Sequence, residues 1–215
     1  MKSKLHILVL IIVFFFTSNI LKAQWIQTNG PENGEVFSFA TFGSRCFVAT
    51  GGGIYNSEIG TYNWSQPVTD VLERWISYLI TMGTDLYVVD PLRINRSVDY
   101  GASYEILDIE GKNLVEKNIS SLAVIDTILY CATSGEGIYR SRDRGDTWEW
   151  LVSENPSDSI SALAISDTIL FAATTWDGVF RSDDFGDSWV PIDPDHAVDG
   201  ITTIEFIDNY LFSWY

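Results

Sequence analysis

Histidine is nearly absent from this sequence. Of the two, His6 falls in the leader described below, which leaves His196 alone in the rest of the chain. That excludes a multi-histidine metal centre and leaves a Ser-His-Asp triad one residue to use. Cysteine is as scarce. Cys46 and Cys131 stand 85 residues apart, too few for a disulfide framework, and read as buried small apolar residues. A long hydrophobic run is also missing. The longest, Ile7 to Phe16, is ten residues, short of the roughly 20 that span a bilayer.

That run sits behind Lys2 and Lys4 and before a more polar tail ending at Ala23. This is the anatomy of a signal peptide over residues 1–23. It predicts a secreted, periplasmic or cell-surface protein, with no membrane insertion after cleavage. Cleavage would remove Lys2, Lys4 and Lys22 and no acidic residue. The basic count falls from 13 to 10 against 29 Asp and Glu, a net charge of −19. A surface so acidic repels nucleic acid and anionic membranes.

What the chain does have is repetition. IYRSRDRGDTWEWL (138–151) and VFRSDDFGDSWVPI (179–192) are one unit; RINRSVDYGASYEIL (93–107) is a third copy and IYNSEIGTYNWSQPV (54–68) a worn fourth. Their serines, Ser57, Ser97, Ser141 and Ser182, are spaced 40, 44 and 41 residues apart. Upstream, ISSLAVIDTILYCAT (119–133) matches ISALAISDTILFAAT (160–174), and ITTIEFIDNYLFSWY (201–215) begins a fifth copy.

Each copy parses into four apolar segments, A to D. A and B meet at two-residue turns such as Gly43-Ser44, Gly83-Thr84, Asp126-Thr127 and Asp167-Thr168, the signature of β-hairpins. The segments are rich in β-branched and aromatic residues. Four antiparallel strands per repeat of about 40 residues predict an all-β propeller. Four complete blades are expected at about 36–68, 76–107, 119–151 and 160–192, with a partial fifth at 201–215. Trp25 stands at strand-D spacing before the first copy, so residues 24–35 read as an N-terminal closing strand. The fifth copy stops within LFSWY, and the expectation is an incomplete ring belonging to a longer protein.

The C–D turn follows one pattern: Ser, x, Asp, x, Gly, x, Thr or Ser, aromatic. It is filled by Ser141, Asp143, Gly145, Thr147 and Trp148; by Ser182, Asp184, Gly186, Ser188 and Trp189; and by Ser97, Asp99, Gly101 and Ser103 with Tyr104. Gly supplies a positive φ and the Asp carboxylate accepts backbone N–H groups within the turn. The Trp buries ~150–250 Å², a gross gain of roughly 4–6 kcal/mol. These turns resemble the Asp-box, or BNR, repeat of sialidases, sortilin-type receptors, some endoglucanases and photosystem-assembly-factor-like propellers, over most of residues 25–215. The third copy also spells Arg144-Gly145-Asp146, an adhesion triplet. The same slots read Phe185-Gly186-Asp187 and Tyr100-Gly101-Ala102, so Gly is the constant and the triplet reads as part of a turn.

Antiparallel order puts the A–B and C–D turns at one end of the strands and the longer B–C and D–A loops at the other, where binding surface is expected. Trp176-Asp177, Glu136 and Arg93 are the candidate ligand-binding residues there. An exposed Trp beside a carboxylate suits sugar stacking plus a hydrogen bond to a hydroxyl; the alternative is a Trp packed on its own blade. Asp193, Asp195 and Asp199 match no EF-hand spacing and read as a solvated loop. No metal or cofactor is expected. Sialidase resemblance would imply three convergent arginines. Arg96, Arg140 and Arg181 fill one repeated slot, and Arg45, Arg74 and Arg93 show no convergence. No catalytic residue is selected. The reading is a non-catalytic module for a glycan or an extracellular protein; the alternative is a fragment of a secreted sialidase-like or endoglucanase-like glycoside hydrolase.

Overall fold

The computed structural model describes residues 35–61, 63–65, 76–90, 93–107, 118–151, 159–192, 200–207 and 210–214. The expected leader, the expected closing strand around Trp25, His196 and the expected acidic D–A loops at 66–75, 108–117, 152–158 and 193–199 lie outside them.

The described residues are all β. The first sheet holds β1 (Val36–Phe42), β2 (Arg45–Thr50) and β3 (Gly53–Glu58). The second holds β4 (Tyr78–Met82), β5 (Asp85–Asp90), β6 (Arg93–Ser97) and β7 (Glu105–Leu107). The third holds β8 (Ile119–Ile125), β9 (Ile128–Thr133), β10 (Ile138–Ser141) and β11 (Glu149–Leu151). The fourth holds β12 (Ile160–Ser166), β13 (Ile169–Thr174), β14 (Val179–Ser182) and β15 (Val190–Pro191), and the fifth β16 (Thr203–Ile207) and β17 (Tyr210–Trp214). Every sheet is an antiparallel meander in sequence order. In the first, Trp64, within the described part of the expected fourth strand, forms a bridge with Ser57.

The tight turns are where the sequence placed them. Gly43, Gly83, Asp126 and Asp167 take φ of 56°, 57°, 52° and 53°. Glycine reaches that region freely, and Asp is among the few other residues that visit it. The second strand of each of the first four sheets is buried almost end to end. That explains its continuous apolar runs: such a strand is covered on both faces. The cover comes from the neighbouring sheets. One core joins the first and second sheets around Phe47 and Leu86, and another joins the second and third around Tyr87 and Leu129. A third joins the third and fourth around Tyr130 and Leu170, and a fourth joins the fourth and fifth around Phe171 and Ile204. First strands lie side by side, β1 against β4, β8 against β12 and β12 against β16. Cys46 and Cys131 are both buried, and no disulfide joins them.

The repeated C–D turn is a packing element. A Cβ on Gly145 (φ +96°) would lie 2.5 Å from Leu107 of the second sheet, and one on Gly186 (φ +90°) 2.7 Å from Leu151 of the third. In the worn first copy Thr61 fills the glycine slot, and Gly60, one position earlier, has φ +90° with nothing within 4 Å of its would-be Cβ. Gly145 and Gly186 therefore each admit a side chain of the preceding sheet. Gly145→Ala adds overpacking to left-handed strain and is expected to cost about 2–4 kcal/mol, whereas Gly60→Ala costs about 1 kcal/mol. Urea unfolding of the two variants measures the difference.

Candidate functional site

The C–D turns close on themselves in the same way three times. In the third sheet, Ser141 Oγ accepts the Gly145 N–H at 2.8 Å and donates to Asp143 Oδ1 at 2.8 Å. Asp143 also accepts the Thr147 N–H at 2.8 Å and the Thr147 hydroxyl at 2.5 Å. The same bonds join Ser97, Asp99, Gly101 and Ser103, and again Ser182, Asp184, Gly186 and Ser188. Trp148 Nε1 donates to the Gly145 carbonyl at 3.0 Å. In the worn first copy, Trp64 Nε1 is buried and has no partner among the described residues. Tyr100, Arg144 and Phe185, each just before a turn glycine, are themselves left-handed at φ 61°, 65° and 60°.

That strained residue turns its carbonyl toward the preceding sheet. Tyr87 Oη and Arg96 of the second sheet both donate to the Arg144 carbonyl, at 3.0 and 2.8 Å. Arg96 also reaches Asp146 Oδ1 at 2.7 Å and Glu105 at 2.7 Å. One sheet on, Tyr130 Oη and Arg140 donate to the Phe185 carbonyl at 3.0 and 2.6 Å. Arg140 further binds Asp187 at 2.7 Å and Glu149 at 2.5 Å. Both arginines are largely buried, with side chains 11% and 6% exposed.

These contacts revise one expectation. The residues flanking the turn glycine are not free to drift. Asp146 and Asp187 are the acidic partners of the arginine one copy earlier. Where that arginine is replaced by Asn56, the flank on the next turn is Ala102. There the two sheets leave a cleft of about 650 Å³ between Arg45, Asn56 and the turn at Asp99 to Ala102. The Arg-Gly-Asp triplet is likewise spent on packing. Arg144 is paired with the fully buried Asp85, its Nε 2.6 Å from Oδ2, while Gly145 faces Leu107 and Asp146 holds Arg96.

The candidate ligand-binding residues lie at the other end of the strands. Trp176 is 66% exposed, so it does not pack on its own sheet. Its loop is fixed by Thr174, whose hydroxyl donates to the Gly178 carbonyl at 3.0 Å and accepts the Asp177 N–H at 2.8 Å. Thr133 holds the Glu136 loop in the same way, at 3.0 Å for each bond. Glu136 accepts a hydrogen bond from Tyr139 Oη at 2.9 Å, and its carbonyl accepts Trp150 Nε1 at 2.9 Å. Trp150, 48% exposed, is thus a second aromatic surface over that loop. The repeat pattern does not single it out, although Trp-Glu-Trp replaces Trp-Val-Pro of the next copy. Arg93 opens β6 and pairs in register with Asp90, a buried residue in the slot that Thr133 and Thr174 fill elsewhere. Arg93, Glu136 and Trp176 therefore share one end of three consecutive sheets, each held by its own sheet. Arg45 starts β2 at the opposite end and binds Asn56 at 3.1 Å, so it does not converge with Arg93. Among the described residues no three His, Cys, Asp or Glu side chains are grouped to hold a metal ion.

No protein-family model matches the chain, and no curated protein matches it. Solved structures do. YCF48 bound to D1 peptide superposes with a TM-score of 0.63 at 17% identity, over 84% of this chain and 62% of that one. The extracellular domain of the one-component system BT4673 from B. thetaiotaomicron gives 0.69 at 15% identity, over 88% of this chain and 27% of that one. An ancestral GH74 enzyme gives 0.67 at 16% identity, over 84% and 28%. The fold is of the β-propeller type. The sheets are its blades, and the chain spans less than two thirds of the length of each of these three structures. Among the described residues no helix is long and apolar enough to cross a membrane.

The turn carboxylates carry a pH signature. Hydrogen bonds from the hydroxyl and backbone N–H of Ser103 and Ser188 hold Asp99 and Asp184 at about 2. For Asp143, burial works upward, but the bonds from Thr147 and Ser141 outweigh it and its carboxyl is lowered as well. An unfolded Asp titrates at about 3.9. The contribution of a depressed carboxylate is therefore complete above about pH 4 and is lost as pH falls toward 2. Thermal unfolding between pH 6 and 2 should show this steep acid limb. In the Asp99→Asn/Asp184→Asn variant it should flatten, with lower stability at pH 6; an unchanged slope would refute the assignment.

Proposed function

We propose that the chain is an exported Asp-box propeller, acting as a non-catalytic module that binds a glycan or an extracellular protein segment through its B–C loop end. The observation that carries this reading is Trp176, a large apolar ring 66% exposed on a loop whose backbone is pinned by Thr174. An ordered, solvent-facing Trp beside Asp177 offers a stacking surface and a hydrogen-bond acceptor together. Trp150 and Glu136 repeat that pairing one blade earlier. Fold neighbours with a peptide-bound structure and with a sensor's extracellular domain agree with a binding role. The leader-like start of the sequence supports export.

The GH74 neighbour favours a second reading, part of a secreted glycoside hydrolase. A shared fold does not carry chemistry, however, and glycosidases need two carboxylates set across a scissile bond. Nothing in the described geometry selects such a pair.

A glycan array and a peptide library, probed with the full chain, should return a ligand whose affinity falls at least about tenfold in Trp176→Ala, roughly 1.4 kcal/mol. The melting temperature should not move, because the ring is exposed. Turnover of a fluorogenic sialoside or of a β-glucan would refute the binding-only reading.

A further inference from the structure

The interface between the first two sheets departs from the next two at every polar position of the grip. Phe47 stands in the register of Tyr87 and Tyr130, and Asn56 in that of Arg96 and Arg140. Ser65, hydrogen-bonded to Asn56, fills the slot of Glu105 and Glu149, and Ala102 that of Asp146 and Asp187. The turn is seated all the same, with the Phe47 ring 3.2 Å from the Cβ position of Gly101. It also keeps its left-handed residue, Tyr100 at φ 61°. The counterparts Arg144 and Phe185 present their carbonyls to the arginine of the preceding sheet. The Tyr100 carbonyl has no donor among the described residues.

A different arginine enters here. Arg45 begins β2, two residues before Phe47 and so on the same face of the strand. In the second sheet that slot belongs to Asp85, which reaches across the interface to Arg144. Arg45 is exposed, and its Nη1 donates to Asn56 Oδ1 at 3.1 Å. Arg96 and Arg140 each hold two carboxylates; Arg45 has none within ion-pair distance among the described residues. The cleft of about 650 Å³ thus combines three kinds of wall. Arg45 supplies planar donors, and Asp99 and Tyr100 supply acceptors. The Tyr100 ring is 50% exposed and is steadied by Phe42, centroid to centroid 4.9 Å.

We infer that this cleft binds a carboxylate-bearing sugar, a uronic acid residue of an acidic glycan. Its carboxylate would take from Arg45 the hydrogen bonds that Asp146 and Asp187 take from Arg96 and Arg140. Its hydroxyls would donate to the Tyr100 carbonyl and the Asp99 carboxylate, and a C–H face of the ring would pack on Tyr100. An aspartate or glutamate side chain offers the carboxylate without the hydroxyl donors or the flat face. A neutral sugar leaves the guanidinium unmatched. The site lies at the turn end of the strands, opposite the loop end that carries Trp176, and does not rest on the function proposed there.

The probes are trigalacturonate, its methyl ester and a triglutamate peptide, each titrated into the full chain by calorimetry. Saturable one-to-one binding of trigalacturonate is expected, at least about tenfold tighter than either of the others. Arg45→Ala should weaken it at least about tenfold, and Arg45→Lys, which keeps the charge without the planar fork, by less. Tyr100→Asn, which removes the ring but tolerates the left-handed backbone, should weaken it as well. Asn56→Arg/Ala102→Asp copies the other two interfaces. It should raise the melting temperature and abolish binding, because the chain's own guanidinium and carboxylate then fill the cleft. Trp176→Ala should leave binding intact. Failure of the folded protein to bind trigalacturonate, or equal binding by Arg45→Ala, would overturn the inference. Triglutamate binding as tightly as trigalacturonate would overturn the assignment to a sugar.

Discussion

The structure depends on one contact made between consecutive blades: an arginine and a tyrosine on one sheet converging on the carbonyl of a left-handed residue on the next. A backbone carbonyl turned outward by positive φ is a poor thing to bury unpaired. Here it meets two donors, one of them charged, and the adjacent aspartate neutralises the guanidinium. Hydrogen bonds to charged groups are the stronger kind, about 1.5–3 kcal/mol each. The internal Ser-Asp-Gly network is what holds the turn in that strained shape. It is therefore a device for presenting a carbonyl as much as a closure for its own hairpin.

This view explains why the cores lie between sheets. A single four-stranded sheet here has apolar residues on both faces of its second strand and cannot cover them alone. Stacking covers them, and the arginine grip fixes the stacking register, as expected of quasi-one-dimensional repeats whose units contact only their neighbours. Where the grip is missing, between the first two blades, Asn56 and Ala102 leave a cleft.

Much of the architecture was legible in the sequence, because β-hairpin turns and the Ser-Asp-Gly-Trp pattern are local. The turns at Asp126 and Asp167 and the three closed C–D networks needed only local chemistry. The arginine grip was half-visible. Arg96, Arg140 and Arg181 recur plainly, but their partners lie in the next copy, some 50 residues on, and comparing copies slot by slot hides a relation offset by one copy. The exposure of Trp176 was a choice between two side-chain placements that spacing cannot decide. Trp150 was hidden for a different reason. Its neighbour Trp148 explained the local pattern, and only the register of β11 against β10 turns the second Trp toward the Glu136 loop.

The proposed binding end carries Trp150 and Trp176 beside loops that Thr133 and Thr174 tie to their own sheets. The arginine grip joins those two sheets to one another. A double-mutant cycle on Arg140→Ala and Asp187→Ala, read by urea unfolding, tests it most directly. If the pair joins two blades, the cycle should give a coupling of about 1–2 kcal/mol, the double variant losing less than the sum of the singles. Additivity to within about 0.3–0.5 kcal/mol would show that the two residues act independently and would contradict the account.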